Sequence, residues 1–279
     1  MEQRINQELL RELASHTRKL GLNRFFRGMG YERHGEFPFI TSVLQPFFNF
    51  PIKYLDIGSG ESIYPTYLLK KTRWDISCLD KFSWVQKQHR HARRIMNNTS
   101  YEQRFHVIEK DFLECELPSE TYDIITNISV IEHFEGKLDS VAMEKSAKLL
   151  KKGGMYVLTT LINGDYFREF YVNESVYGVR YKEKPVFYQR HYDVKSIEER
   201  IIQPSGLREQ KRIYQGEYGF PFGKYFINVC RPLRPIKVLY QWASPFFASR
   251  FLTYRDKPVS TPNMPVTTYS CVLLVLKKE

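Results

Sequence analysis

The sequence predicts an α/β protein built on a doubly wound, seven-stranded, mostly parallel sheet with helices on both faces. Two observations support this fold class. From residue 52 onward, apolar runs of strand length alternate with longer segments of helical periodicity, which is the pattern of βαβ units. The chain has 279 residues, of which 42% are hydrophobic, so it can bury the core of one large sheet domain.

The elements are predicted in chain order. Leucines at helical spacing indicate an amphipathic helix at 5–20, followed by a ring-rich, charged loop at 28–39 and a short helix at 44–48. The predicted strands are IKYLDI, DISCLD, RFHVIEKD, TYDIITNI, MYVLTTLI, LREQKRIY and VTTYSCVLLVLKK. The predicted helices among them are SIYPTYLLKK, WVQKQHRHARRIM, VAMEKSAKLLKK and DVKSIEERII. Pro65 suits the start of the first of these helices, and Gly153-Gly154 is predicted to end the third.

Three regions follow from this pattern. Residues 1–50 form an N-terminal helical extension, and 51–215 together with 266–279 form the ligand-binding core. Residues 216–265 form an aromatic, basic insertion before the last strand, with the alternatives of a cap, a lid or an interface.

The net charge of +11 is concentrated in and near this insertion. Between residues 200 and 257 there are eleven Lys and Arg against three Asp and Glu, interleaved with aromatic residues. A cap with solvated charges, a substrate lid and an anionic membrane-surface contact through 216–257 all remain open. A nucleic-acid face is less favoured, because no RNA-binding module is visible.

Cysteine usage and the N-terminus bear on location. The four cysteines are far apart and form no CxxC pair, so neither a disulfide framework nor a zinc site is expected. The N-terminus lacks the apolar core of a signal peptide, and no apolar run is long enough to span a bilayer. These features predict a cytoplasmic protein, with peripheral membrane attachment if the insertion contacts lipid.

The first predicted strand ends in a glycine turn, Asp56-Ile-Gly58-Ser59-Gly60. In a doubly wound sheet, ligands bind at the carboxyl ends of the strands. A dinucleotide motif requires a glycine where Ile63 stands, and the carboxylate of Asp56 would repel phosphates. The turn therefore favours a ligand that carries positive charge.

The next strand ends also carry polar residues. Asp80, twenty residues after Gly60, can accept hydrogen bonds from two ribose hydroxyls. Asp111 and Phe112 can read and stack an adenine, and Asn127 ends the fourth strand. Each residue alone could be a turn or helix cap, but their order and spacing together indicate one cofactor site.

In these segments the sequence resembles the class I S-adenosylmethionine-dependent methyltransferases. The matching segments, within about 52–161, are LDIGSGES, CLDKF, IEKDF, YDIITNISVIEHF and KLLKKGGMYVLTT. The resemblance implies a Rossmann-like core and S-adenosylmethionine as cofactor, with S-adenosylhomocysteine as product. The turn would hold the methionine part, Asp80 the ribose, Asp111 and Phe112 the adenine, and the backbone carbonyl of Asn127 the ammonium. The predicted cofactor-binding residues are Asp56, Gly58, Ser59, Gly60, Asp80, Lys81, Asp111, Phe112, Asn127 and Ile128.

The expected activity is O-methylation of a small-molecule or glycan- or lipid-linked metabolite. By family analogy, base amino-group methylation uses an Asn/Asp-Pro-Pro-aromatic motif after the fourth strand, and cytosine C5 methylation needs a Pro-Cys nucleophile; neither occurs. The alternatives are an RNA methyltransferase and a methyltransferase-fold binding protein without turnover.

Three residues are candidate catalytic groups. The segment 131–134 resembles small-molecule O-methyltransferases, and His133 could deprotonate a hydroxyl, the alternative being a structural histidine. Glu132 and Tyr192 are weaker candidates; FYQRHYDVKSIEERI also resembles a family element in which an Arg-x-Tyr segment precedes a helix near the active site. Some relatives bind a metal through Glu-x-x-Glu-His, but Ser129 stands at the first position, so no metal is expected. Two polar clusters could also face the ligand or merely pack at the surface: Arg190-His191-Tyr192, and Tyr31 with Arg33 and Glu36.

Overall fold

The fold is taken from a computed structural model that describes residues 3–97, 101–164, 166–218, 222, 245–246, 248–258 and 270–279. Its centre is a nine-stranded sheet in the order β1-β10-β9-β11-β6-β5-β2-β3-β4. The strands of this sheet are β1 Gln3–Arg4, β2 Lys53–Ile57, β3 Asp75–Asp80, β4 Phe105–Glu109, β5 Tyr122–Ile128, β6 Leu150–Leu161, β9 Arg208–Gly216, β10 Thr253–Arg255 and β11 Cys271–Lys277. Two further strands, β7 Arg168–Val172 and β8 Val186–His191, form a separate antiparallel hairpin.

The doubly wound, mostly parallel arrangement is confirmed. Strands β4, β3, β2, β5 and β6 are parallel neighbours, while β11 runs antiparallel between β6 and β9. The sheet has nine strands instead of seven because β10 and then β1 extend its edge beyond β9. These two strands have three and two residues, which is too short to give a periodic signal in the sequence.

Helices cover both faces of the sheet. The described helices are α1 Gln7–Lys19, α2 Leu22–Arg27, α3 Arg33–Leu44, α4 Tyr64–Lys71, α5 Lys87–Ile95, α6 Leu138–Leu149, α7 Val194–Ile197 and α8 Gln203–Ser205. Tyr54 and Leu55, adjacent on β2, enter two different buried clusters because successive strand residues point to opposite faces. One cluster includes residues of α1, α3, α4 and α5, and the other includes residues of α6 and α7.

The segment predicted as a loop at 28–39 is mostly helix α3, so that prediction was wrong. Phe37, Phe39 and Ile40 are buried in the core cluster. Their burial stabilises a helix that contains Pro38, a residue that removes one backbone donor. Helix α1 lies within the predicted range 5–20.

The glycine pair Gly153-Gly154 does not end a helix, contrary to the prediction. Helix α6 ends at Leu149, and the pair lies inside β6, close to the point where its register against β5 shifts. Gly153 N donates to the carbonyl of Lys278, and Lys278 N donates to the carbonyl of Gly154. The glycines therefore mark an irregular strand start that is fixed by the last residues of the chain.

Most of the insertion at 216–265 lies outside the described residues, including 219–221, 223–244 and 247 of the predicted lipid-contacting segment 216–257. Its described part contributes β10, which pairs with both β1 and β9. The N-terminal extension and the insertion thus meet at one edge of the sheet. Within the residues described, no helix is both long and apolar enough to cross a membrane.

Candidate functional site

A cavity of about 620 Å³ lies at the carboxyl ends of the parallel strands, where the sheet order changes direction between β2 and β5. It gathers most of the residues that the sequence predicted for a cofactor site. Those that line it are Asp56, Gly58, Ser59, Gly60, Asp80, Lys81, Asp111, Phe112 and Ile128, together with the catalytic candidate His133.

The glycine turn after β2 forms the floor of the cavity. Gly58 N and Ser59 N both donate to the carbonyl of Leu79, at 2.8 and 3.0 Å. Gly58 has φ +72°, and a Cβ built there would overlap the side chain of Val130. Only glycine satisfies both conditions, and the turn leaves the backbone bare on the cavity side.

Asp80 connects the end of β3 to this turn. One carboxylate oxygen accepts from Gly60 N and the other from Phe82 N, each at 2.9 Å. Burial raises the pKa of Asp80, and these backbone hydrogen bonds oppose the rise. The carboxylate is therefore held at a fixed position with acceptor capacity left on both oxygens.

Asp56 is the most buried acid of the cavity lining. Burial raises its pKa to about 6, although Thr126 Oγ1 donates to its carboxylate at 2.6 Å. A cation placed in the cavity near Asp56 would favour the charged form of this carboxylate. This agrees with the expectation, from sequence, of a ligand that carries positive charge.

Asp111 and Phe112 follow β4. Asp111 Oδ1 accepts from Leu113 N at 2.9 Å, which orients the carboxylate. The Phe112 ring is buried, and the ammonium of Lys145 lies 5.2 Å from its centroid. Both residues line the cavity.

The end of β5 meets helix α3 of the N-terminal extension. Ser129 has φ +51°, and its hydroxyl accepts from Arg33 Nη1 and donates to Glu36 Oε1, both at 2.7 Å. Thr159 also donates to Glu36 Oε1 at 2.7 Å, and Arg33 forms an ion pair with Glu36. Arg33 lines the cavity, whereas Glu36 is fully buried behind it. These contacts hold the N-terminal extension against the carboxyl ends of the strands.

His133 also lines the cavity and comes from the short segment after β5. Its Nδ1 is 2.8 Å from the carbonyl of Tyr188, an acceptor, so Nδ1 carries the proton and Nε2 has a free lone pair. Burial lowers the pKa of His133 from its ordinary value of 6.5, so the ring is neutral at pH 7. The ring of Tyr177, from the segment between β7 and β8, packs 4.7 Å away.

Three predicted residues do not line the cavity. Asn127 is buried, and its Oδ1 accepts from Ile131 N at 3.0 Å. Glu132 is buried and accepts from Thr160 Oγ1 at 3.0 Å, and burial raises its pKa to about 7. Tyr192 is buried and donates to Asp139 at 2.9 Å.

The Arg-x-Tyr segment is part of a buried ionic network around Asp139. The Asp139 carboxylate accepts from Arg190 Nη1 at 2.9 Å and from Arg200 Nε at 2.8 Å, in addition to Tyr192. Arg190 also donates to the carbonyls of Phe134 and Gly136. The network therefore positions the residues that follow His133.

The sequence reasoning missed several cavity residues. These are Arg24, Met29, Gly30, Glu32, Phe37, Phe82, Trp84, Val176, Tyr177, Val179 and Phe187. Trp84 follows the end of β3 by four residues and could have been found from that position. The residues of α2, of its flanks and of the β7–β8 hairpin had no such signal, because the fold brings them to the strand ends from distant parts of the chain.

Comparison with known proteins gives the family. Residues 11–199, more than half of the chain, match the family model described as a methyltransferase domain. Among curated proteins, no sequence matches significantly.

Solved structures share the fold at low sequence identity. Coclaurine N-methyltransferase bound to N-methylheliamine and SAH has a TM-score of 0.56 at 13% identity, covering 98% of this chain and 85% of that one. The S-adenosylmethionine-dependent methyltransferase from Mesorhizobium loti has a TM-score of 0.51 at 13% identity, covering 89% and 100%. The [4+2]-cyclase SpnF has a TM-score of 0.51 at 13% identity, covering 86% and 80%. At these identities the likeness establishes the fold, and the cyclase illustrates that the fold does not by itself fix the reaction.

Proposed function

Since the chain belongs to the methyltransferase-domain family, we propose that it transfers a methyl group from S-adenosylmethionine to a small-molecule acceptor. One observation carries the proposal. The glycine turn at 58–60, Asp80 and the Asp111-Phe112 pair, which are separated by twenty residues or more in the chain, line one cavity at the strand ends. Their chemistry covers the methionine, ribose and adenine parts of that cofactor.

The residues present fit this cofactor. The turn lines the cavity with bare backbone at Gly58, where a Cβ would overlap Val130, and the cavity places Asp56 where a positive charge is favoured. Asp80 retains acceptor capacity for the two ribose hydroxyls, and Phe112 provides an apolar ring for the base. When bound, S-adenosylmethionine supplies a methyl group on a sulfonium centre and leaves as S-adenosylhomocysteine. The chain's own residues would hold it in line with the acceptor and exclude water.

His133 is the residue we assign as general base for a hydroxyl acceptor. Its Nδ1–H is held by the Tyr188 carbonyl, so Nε2 is the nitrogen that can take the hydroxyl proton. Burial keeps the ring neutral, which is the form a base requires. Glu132 and Tyr192 are poorer candidates, because each is occupied by a buried partner, Thr160 and Asp139 respectively.

O-methylation is therefore the favoured reaction within this class. An amine acceptor would need the same in-line alignment and could use the same base, so the acceptor atom has to be read from the product. The partner expected is a small metabolite, and the location expected is the cytoplasm.

The test is transfer of labelled methyl from S-adenosylmethionine into a metabolite extract of the source organism, followed by identification of the labelled product. A labelled small molecule with a new O-methyl group supports the proposal. Labelled RNA would replace it with an RNA methyltransferase. Tight cofactor binding without any labelled product would replace it with a binding protein that has no turnover.

A further inference from the structure

Helix α2 presents its apolar side to solvent. Leu22, Phe25 and Phe26 are spaced i, i+3, i+4 on one face of the helix, and they are 78%, 41% and 52% exposed. Arg24 lies on the other side and donates to the carbonyl of Glu61 at 2.5 Å. A helix that merely packs on a protein buries its apolar face. In α2, by contrast, the apolar face is exposed to solvent, and the side that carries Arg24 contacts the protein.

The surroundings of this face are basic. Residues 18–27 and 87–94 contain no Asp or Glu. They contain eight Lys and Arg: Arg18, Lys19, Arg24, Arg27, Lys87, Arg90, Arg93 and Arg94. The two segments adjoin in the fold, because Arg94 Nη1 donates to the carbonyl of Leu20 at 2.5 Å and Lys87 pairs with Glu61, the neighbour of Arg24.

The pKa of the buried His91 reflects the same positive charges. Burial and, after it, the nearby charges of Arg24, Arg90 and Arg94 together lower the pKa of His91 to about 4, with Glu61 opposing them. Among these groups, Glu61 is the acid, and it is already paired with Lys87 and Arg24. The exposed part of the surface therefore carries excess positive charge.

We propose that the α2 patch, formed by residues 18–27 and the exposed basic side chains of α5, docks the protein on an anionic membrane surface. The apolar side chains enter the headgroup region and the cations face lipid phosphates. A single-stranded nucleic acid is less suitable as the occupant: Leu22 has no ring to stack on, and the Phe25 and Phe26 rings are 84° apart and offer no common stacking plane. This patch is distinct from the insertion at 216–257.

Docking through α2 would orient the cavity. The helix is bounded by Gly21 and Gly28, with φ values of +124° and +62°, and Arg24, Met29 and Gly30 line the cavity. The cavity mouth would therefore lie next to the bilayer. If the proposed methyltransferase function also holds, the acceptor is an amphiphile that enters from the membrane.

The test is flotation of the full chain with vesicles of phosphatidylcholine alone or with about 30% phosphatidylglycerol. We expect flotation with the anionic vesicles and at least about tenfold weaker partitioning with the neutral ones. The double variant Phe25→Ser/Phe26→Ser should lose about tenfold or more with anionic vesicles. Phe50→Ser is its matched control, because Phe50 is also exposed but precedes β2, at the opposite end of the strands.

A second pair of variants tests the charge. Arg90→Glu/Arg93→Glu should weaken partitioning by about tenfold or more, whereas Lys152→Glu/Lys277→Glu, an equal change at the other end of the sheet, should not. This pair decides the matter if the phenylalanine variant fails to fold, as judged by its melting temperature. The proposal is overturned if wild type does not float, if the controls lose as much as the patch variants, or if the patch variants lose only RNA binding. Vesicle binding is measured without turnover, so a failure of the proposed function would not affect this result.

Discussion

The two ends of the cavity are built in different ways. At the proposed cofactor end, the glycine turn, Asp80 and Asp111 each come directly after a strand, and their contacts are mainly with backbone groups of adjoining loops. At the proposed acceptor end, Arg33 comes from the N-terminal extension, His133 follows β5, and Tyr177 comes from the β7–β8 hairpin. The first end is specified by the sheet itself, whereas the second depends on side-chain contacts between distant segments.

The largest effect is expected at His133. His133→Ala should lower kcat/KM for the identified acceptor by about 10²–10⁴-fold, because the hydroxyl loses its general base. Binding of S-adenosylhomocysteine should not change. In wild type, only the neutral imidazole is active and burial lowers its pKa from the ordinary value, so activity should be lost on the acidic side, as the pH falls through that lowered pKa. The pH profile of kcat/KM checks this.

His106→Ala, a half-exposed histidine on β4, is the control for that variant and should keep the wild-type profile. A His133→Ala enzyme that retains both full activity and the acidic limb would remove His133 from catalysis. The proposed acceptor end of the cavity would then have no residue with an assigned role in the reaction.

Asp139 tests how far the acceptor end relies on buried charge. Asp139→Ala removes the buried carboxylate partner of Arg190 and leaves the more distant and less buried Glu169, so the free energy of unfolding should fall by roughly 3–5 kcal/mol. Arg208→Ala breaks an ion pair whose side chains are both about 70% exposed, and should cost roughly 0–1 kcal/mol. Urea unfolding of the two variants measures the difference. Equal losses would show that the network around Asp139 contributes little to this end of the cavity.

Gly58 tests the rigidity of the cofactor end. Gly58→Ala should cost about 3 kcal/mol in unfolding free energy, from the strain of positive φ and from overlap with Val130. Gly153→Ala has the same kind of φ, +77°, but open space around the Cβ, and should cost only about 1–2 kcal/mol. Adding Val130→Ala should recover part of the loss at 58 and none at 153. Identical costs at both glycines would contradict the close approach of Val130.

Asp80 has the smallest expected effect of the four. Asp80→Ala should weaken S-adenosylhomocysteine binding by more than tenfold, roughly 1.5–3 kcal/mol, because two ribose hydroxyls lose their acceptor. Asp75→Ala, at the opposite end of β3, should leave the affinity unchanged. Calorimetric titration measures both, and an unchanged Kd for Asp80→Ala would exclude this residue from the cofactor site.

These two ends also explain what the sequence could predict. The parallel strands and the residues that follow them have local signals, so the sequence predicts the turn at 58–60, Asp80 and Asp111 close together, and these residues line one cavity. Arg33 and Glu36 were noticed as polar residues, but their helix was read as a loop because its stability comes from burying Phe37 and Ile40 against the rest of the fold. The contact of Glu36 with Ser129 and Thr159 joins positions 93 and 123 residues apart.

The β7–β8 hairpin and the edge strands β1 and β10 could not be predicted from the sequence, for related reasons. Strands β7 and β8 are separated by residues 173–185, and the tight turn in that connection, Tyr177-Gly178, lies away from the strand ends. Strands β1 and β10 gain their order from pairing with each other. A glycine pair such as Gly153-Gly154 is typical of a helix end, but in this chain it lies at an irregular strand start beside Lys278. In each case a non-local partner, absent from the local sequence, determined the structure.

The central claim is that the cavity at the strand ends is built for S-adenosylmethionine. Its most direct test is a calorimetric titration of the wild-type chain with S-adenosylhomocysteine and, separately, with NAD. We predict saturable binding of S-adenosylhomocysteine at one site per chain and no binding of NAD, because Asp56 opposes phosphates and Ile63 replaces the third glycine of a dinucleotide turn. Binding of NAD without binding of S-adenosylhomocysteine would contradict the account.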